Sequence, residues 1–450
     1  MAAFKSKRGA LRRSACAAAV LLLAAAGNAG AVSLQAAYQA ALKNDPTYRM
    51  SFYENESARE NAVLGRSALL PTVSAQFSGS KNVADQEYIQ GETVIPTHPR
   101  YISRSSSVQL RQPLLNIDGI ARYRQGKVQA RQGEALYEAN TNEVAVRVLA
   151  AYCDALFADD QAALAKVQRD VFLEQQKVNQ RLFEKGEGTK TDMLETKARL
   201  DLAEAQLVEA QENATVAHNA LAAVIGMEPG ELDRLSDSFR VGDLDIGPFE
   251  KWHKLTLENN HELEAARLAV ENARLEISKQ KAGHYPRVDL TASYSKGDSE
   301  SLNTFNQNTV NRTIGVQVNI PIYQGGLVNA VTRQAVAGYE RAKADLEART
   351  NKLMLDLRKA HSVVQGSVNK IGALVKAVES GNELMKATEQ SIKGGVRINL
   401  DLLNAQQQLF TSQRDLAQAR YTYLIGVLRL RAMAGDVGDS DMRQIGAYFR

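Results

Sequence analysis

The sequence predicts a mostly α-helical chain made of two copies of one unit, each a pair of amphipathic strands set on a long helical hairpin. Three observations carry this. Aromatics are 6% of the 450 residues and Pro only 9, while Ala, Gln, Glu, Lys, Leu and Arg dominate, the balance of long helices rather than of a compact sandwich. Separated segments recur at constant offsets. The spacing of apolar residues switches from two to three-and-four at the same place in both copies.

The duplication runs through two blocks. "LKNDP" at 42–46 answers "LENNH" at 257–261, Ala58-Arg59 answers Ala273-Arg274, and "LPTV" at 70–73 answers "YPRV" at 285–288, all 215 residues apart. Beyond the strands the offset is 209: Arg124-Gln125 meets Arg333-Gln334, Asp192 meets Asp401, and Gly226 meets Gly435. The six-residue difference falls in the loops at about 84–104 and 297–310, where an insertion is tolerated.

Within each copy a helix of about 24 residues is expected to end just before Pro71 or Pro286. Strict alternation follows: Val73, Ala75 and Phe77 against Ser74, Gln76 and Ser78, then Val288, Leu290, Ala292 and Tyr294 against Asp289, Thr291, Ser293 and Ser295. A polar loop leads to a second alternating segment, weak at Val108 and Leu110 and strong at Ile314, Val316, Val318 and Ile320. Such period-two runs predict strands with one apolar and one polar face.

After Pro113 and Pro321 the period changes, and no proline interrupts 119–184 or 327–393. Val146, Leu149, Cys153, Leu156, Leu164, Val167 and Val171 form one helical stripe, and Leu353, Leu357, Ala360, Val364, Val368 and Ile371 the other. A coiled-coil-like stripe on helices of this length predicts rods of about 100 Å. Gly186 and Gly188, then Gly394 and Gly395, end the rods in turns, and return helices are expected at 190–225 and 399–434.

The first 31 residues read as a secretory signal peptide: Lys5, Lys7, Arg8, Arg12 and Arg13, a short apolar run at 15–26, and "AGA" at 29–31. That run is too short to span a bilayer. Without the segment the chain carries 50 basic against 51 acidic residues, a net charge of −1 in place of +4, so no nucleic-acid partner is implied. Cys153 is then alone, which excludes an intramolecular disulfide. The chain divides into the signal peptide (1–31), a first repeat (32–247), a second repeat (248–435) and a short polar tail (436–450) with no evident role. No stretch is long and apolar enough for a spanning helix, so any membrane passage must use a β-barrel.

The residues that most constrain a family are "SLQAAYQAALKNDP", "LLPTV", "VQLRQPLLN", "VQVNIPIYQGG" and "GVRINLDLLNAQQQLFTSQRDLAQARYTYLIGVLRLRAMAG". Over nearly the whole chain after residue 31 the sequence resembles the TolC family of outer-membrane efflux and secretion channels. The resemblance implies a homotrimer whose twelve strands close one outer-membrane β-barrel, continuous with a periplasmic α-helical tunnel. It implies that Asp401 lines the constriction at the tunnel tip. The family's second acidic position is Asn404 here, which argues against two stacked acidic rings. It implies a closed-state latch between Asp192 and Arg397; the position of the family's latching tyrosine is Ile392. Implied partners are outer-membrane lipid, a periplasmic adaptor (membrane fusion protein) and an inner-membrane transporter of the ABC or RND type, in an efflux pump or a type I protein secretion system. The loops at 84–104 and 297–310 then face the cell exterior.

Other readings of the same residues stay open. Asp401 also suits the first turn of a helix, where a carboxylate favours the dipole, and Arg397 suits a solvated turn. A periplasmic coiled-coil adaptor or scaffold would share the heptads and the leader, but would not need four amphipathic strands placed symmetrically. Catalysis has no support: "GIARYRQGK" at 119–127 is not a phosphate loop, His253 and His261 read as packing or surface residues, and no catalytic set, cofactor motif or metal-ligand spacing is present.

Overall fold

The computed structural model describes residues 31–236, 239, 241, 246–299, 307–394, 396–435 and 437–450. The signal-peptide reading (all but its last residue), Gly395 and the middle half of the second strand loop, 300–306, lie outside the described residues.

Each repeat begins with two helices rather than one. In the first, α1 (Leu34–Asn44) starts where the Ser33 hydroxyl accepts the Ala36 N–H (3.2 Å). It stops at Asp45, which caps α2 (Pro46–Ser67) by accepting the Thr47 N–H at 2.8 Å, with Pro46 in the first turn. The Asp45 carboxylate, 4% exposed, is also paired with Arg147 of the long helix. The second repeat uses Asn260, which accepts the Leu263 N–H at 2.9 Å between the helices Phe249–Asn259 and His261–Lys281. The expected helices of about 24 residues are thus 22 and 21 residues long, each preceded by a separate 11-residue helix. Proline and the side-chain caps make the break, and they outweigh the continuous helical pattern.

Strands β1 (Thr72–Val83), β4 (Arg100–Leu115), β5 (Arg287–Ser299) and β6 (Gln307–Asn319) form one antiparallel sheet in the order β1-β4-β5-β6. The β4–β5 pairing, with Val108 opposite Tyr294, joins the repeats. Along one face Val73, Phe77, Ile314, Val316 and Val318 are 54–77% exposed, as the alternation predicts. The other face carries cross-strand serine bonds, Ser78–Ser105 (2.8 Å) and Ser80–Ser103 (2.7 Å). At the sheet's base the Asp289 carboxylate, 4% exposed, accepts from Arg111 (2.5 Å) and Arg287. Among the described residues β1 and β6 leave two long edges without a partner strand. The segment expected as a polar loop, 84–104, holds a hairpin of β2 (Gln86–Gln90) and β3 (Thr93–Thr97) with apolar Tyr88, Ile89, Val94 and Ile95. Each run has only a few alternating residues, too few to stand out as a period.

The long helices match expectation closely. α3 (Ile117–Glu184) has 68 residues and returns through α4 (Lys190–Ile225); after α5 (Phe249–Asn259), α6 (His261–Lys281) and β5–β6, α7 (Leu327–Lys393) has 67 and returns through α8 (Asn399–Met433). The stripes hold at Val146, Leu149, Cys153 and Leu156 and at Leu357, Val364 and Ile371, all buried. The first one fails near its end, where Val167 is 52% exposed and the buried positions are Gln168, Phe172 and Asn179.

Where α2 lies along α3, three glycines at seven-residue spacing replace side chains: Gly119, Gly126 and Gly133. A Cβ at Gly126 would lie 2.1 Å from the Asn61 carbonyl oxygen, and one at Gly133 2.2 Å from the Ala58 Cβ. Two helices can approach this closely only without side chains between them.

The main core is a belt of α1, α3, α8 and the segments after each repeat, including Leu34, Leu149, Tyr152, Leu424, Leu428 and Met442. The tail, which had no evident role in the sequence, docks into it. Helix α9 (Asp439–Gly446) buries Met442 and Ile445 completely. Phe449 meets Tyr152 edge-on at 5.5 Å, and Arg450 pairs through its backbone with Arg234. Among the described residues no helix is long and apolar enough to cross a membrane.

Candidate functional site: the helical tips

Both hairpins reverse at the end far from the sheet. The first turn is built from Gly186, whose φ of +76° only glycine adopts readily, and from N–H bonds of Glu187 and Gly188 back to the Leu182 carbonyl (2.9 and 3.1 Å). Thr189 and Asp192 then form a capping box on α4. The Asp192 N–H donates to the threonine Oγ1 (3.1 Å), and the Asp192 carboxylate accepts from the Thr189 hydroxyl (2.6 Å) and N–H (3.4 Å).

The second turn is built differently. Gly394 has φ −83°, ordinary helical backbone, so its conformation makes no demand for glycine. α8 begins after Ile398, which offers no side-chain acceptor, and Asp401 lies half-buried in the first turn with its N–H on the Ile398 carbonyl (3.1 Å). A carboxylate there stabilises the helix start through the dipole. Asn404 is exposed one turn further on.

The expected latch is not closed within one chain. Asp192 is engaged by Thr189, while exposed Arg397 reaches Thr388 Oγ1 at 3.5 Å. What does join the two hairpins is a set of polar side chains, neutral but for Arg199. Gln175 donates to Asn399 Oδ1 (2.7 Å), and Asn399 and Asn179 both donate to Thr196 Oγ1 (3.3 and 2.6 Å). Gln168 donates to Gln407 (2.7 Å), and Arg199 to Asn404 Oδ1 (3.2 Å). Phe172, Leu200, Ala203 and Leu403 pack beside this joint. Reading the sequence missed it, although the signal was there: Gln168, Gln175 and Asn179, at steps of seven and four, share the face on which apolar residues were expected.

Thr196 is fully buried, so Thr196→Val keeps the shape but leaves two amide groups without their acceptor, at a cost of about 1–3 kcal/mol each. Amide hydrogen exchange across 175–199 is expected to quicken while the sheet's exchange stays unchanged. Equal protection in both regions would show that this joint does not hold the hairpins together.

Among the described residues no group of His, Cys, Asp and Glu suits a metal ion. His253 packs on Phe249, with ring centroids 5.9 Å apart, and His261 lies 3.7 Å from Glu264.

Among the described residues the chain is two helical hairpins carrying one amphipathic four-stranded sheet whose outer strands, β1 and β6, have no partner strand. The chain matches the family described as outer membrane efflux protein over residues 37–227 and 252–436, one match per repeat, and it belongs to that family, the TolC family of channels. It is similar to the alkaline protease secretion protein AprF of Pseudomonas aeruginosa, 37% identical over 94% of this chain and 88% of that protein. The proteases secretion protein PrtF of Dickeya chrysanthemi is 34% identical over 98% of this chain and 96% of its own length. The crystal structure of CusC has the same fold at a TM-score of 0.77, with 17% identity and 90% and 93% of the two chains covered. The chain is therefore a transport protein of the Gram-negative outer membrane that extends into the periplasm, not an enzyme.

Proposed function

We propose that this chain forms the exit duct of a type I secretion system that releases a protein substrate from the cell. The similarity to AprF and PrtF along nearly the full length supports this, since both are named for protease secretion. In this reading β6 of one copy pairs with β1 of the next, because open edges are not tolerated in lipid and four strands are too few to close a barrel. The apolar sheet face meets outer-membrane lipid and the serine-lined face meets the lumen. Gly186, Gly188 and Gly394 turn the chain at the periplasmic tip, Asp401 and Asn404 line the constriction, and Asp192 latches to Arg397 across neighbouring chains. The partners are a periplasmic adaptor that docks at the tip and an ABC-type inner-membrane transporter.

Deleting the gene in its own cells is expected to remove one or a few proteins from the culture supernatant, with recovery when the intact gene is returned. A supernatant that keeps all its proteins, in cells that become sensitive to small toxic compounds, would instead assign the duct to a drug-efflux pump.

A further inference from the structure

We propose that Arg199 is a determinant of ion selectivity at the tip, a positive group set against Asp401. The proposal rests on the reading of the tip as the constriction. Asn404 follows Asp401 by three residues, so the two side chains share a face of α8. Arg199 approaches that face from α4, and its Nη2 donates to Asn404 Oδ1 at 3.2 Å. Its place is set by the joint: Arg199 lies one turn after Thr196, whose side chain is fully buried and bonded to both Asn179 and Asn399. The guanidinium therefore leaves from backbone that is held, not from a free loop.

An amide oxygen orients a guanidinium but does not neutralise it. Among the described residues of the chain Arg199 bonds to the amide oxygen of Asn404 and pairs with no carboxylate. Each chain thus brings one negative and one uncompensated positive charge to the same level of α8, and three copies would bring three of each. Asn404 is then more than a missing acid: it aligns Arg199 while leaving its charge intact. Because the opposed charges partly cancel in a narrow passage, the cation preference set by Asp401 is held down by Arg199.

The test uses the purified full-length protein in planar bilayers, with KCl gradients and hexamminecobalt as the multivalent probe. Arg199→Gln, which can still donate to Asn404, is expected to raise the potassium-to-chloride permeability ratio by roughly twofold to fivefold. Arg199→Lys keeps the charge and is expected to keep the parental ratio. Asn404→Asp alone places a carboxylate against the guanidinium, so block by hexamminecobalt should change little; in the Arg199→Gln background it should strengthen by about tenfold. Asp401→Ala is measured in parallel. An altered ratio in Asp401→Ala with no change in Arg199→Gln overturns the role of Arg199 while leaving the tip as the constriction. No change in either variant overturns both. Oligomeric state and unfolding midpoint of each variant establish that a null result comes from folded channels.

Discussion

Replacing Gly126 by alanine is expected to destabilise the protein by about 2 kcal/mol or more, although alanine is the better helix former. In an exposed helix the change would gain about 1 kcal/mol. Here the added Cβ would stand 2.1 Å from the Asn61 oxygen, 3.0 Å from the Asn61 carbonyl carbon and 3.3 Å from the Gly65 Cα. All three are backbone atoms of α2, so no side chain can rotate away and the whole helix must shift. Such a shift also disturbs Gly65, whose own missing Cβ would lie 2.6 Å from the Arg122 oxygen. Overpacking of this kind costs about 1–3 kcal/mol when only side chains must adjust, and more when backbone must. The control is Gly338→Ala in α7, where an added Cβ meets nothing within 4 Å in the chain. Thermal unfolding in detergent, followed by far-ultraviolet circular dichroism, should give a clearly lower midpoint for Gly126→Ala and an unchanged or raised one for Gly338→Ala. Equal midpoints would mean that α2 and α3 are not in the close packing described.

Asp401→Ala is expected to produce the largest change in transport properties. If three tips converge on the trimer axis, three carboxylates come close together in a narrow passage, attract cations and repel anions. Removing them should lower the cation preference and weaken block by multivalent cations in planar bilayers. The same side chain also supports the start of α8, where Ile398 provides no cap. That contribution is about 0.3–1 kcal/mol and appears as a small drop in unfolding midpoint, separable from selectivity. Asp401→Asn keeps the shape and removes the charge, so it should reproduce the selectivity change. Unaltered selectivity and block in both variants would reduce Asp401 to a residue that begins a helix and move the constriction elsewhere.

Much of the architecture was legible because it is written in short-range periodicity. The rods expected at 119–184 and 327–393 are Ile117–Glu184 and Leu327–Lys393, and the return helix expected at 190–225 is Lys190–Ile225. Long proline-free runs of one period leave little freedom in where a helix starts and stops. Both rods end at the glycines the sequence marks, but only Gly186 has left-handed backbone that needs glycine; Gly394 caps its helix with ordinary backbone. The breaks at Asp45 and Asn260 were visible only as repeat markers, because a cap acts through one hydrogen bond and not through a pattern. The seven-residue spacing of Gly119, Gly126 and Gly133 was present in the sequence but named no partner helix.

The sequence by itself determined the duplication, through its constant offsets, and the order and approximate lengths of the long helices and the four sheet strands, since those elements follow from contacts between residues two to four apart. Only the tertiary structure decided which distant groups meet. Val108 faces Tyr294 where the repeats join, Phe449 closes over Tyr152, and Arg199 finds Asn404 from 205 residues away. A buried polar group needs some partner, and its own sequence neighbourhood says that much; which partner it obtains depends on how two rods of about 100 Å are set side by side.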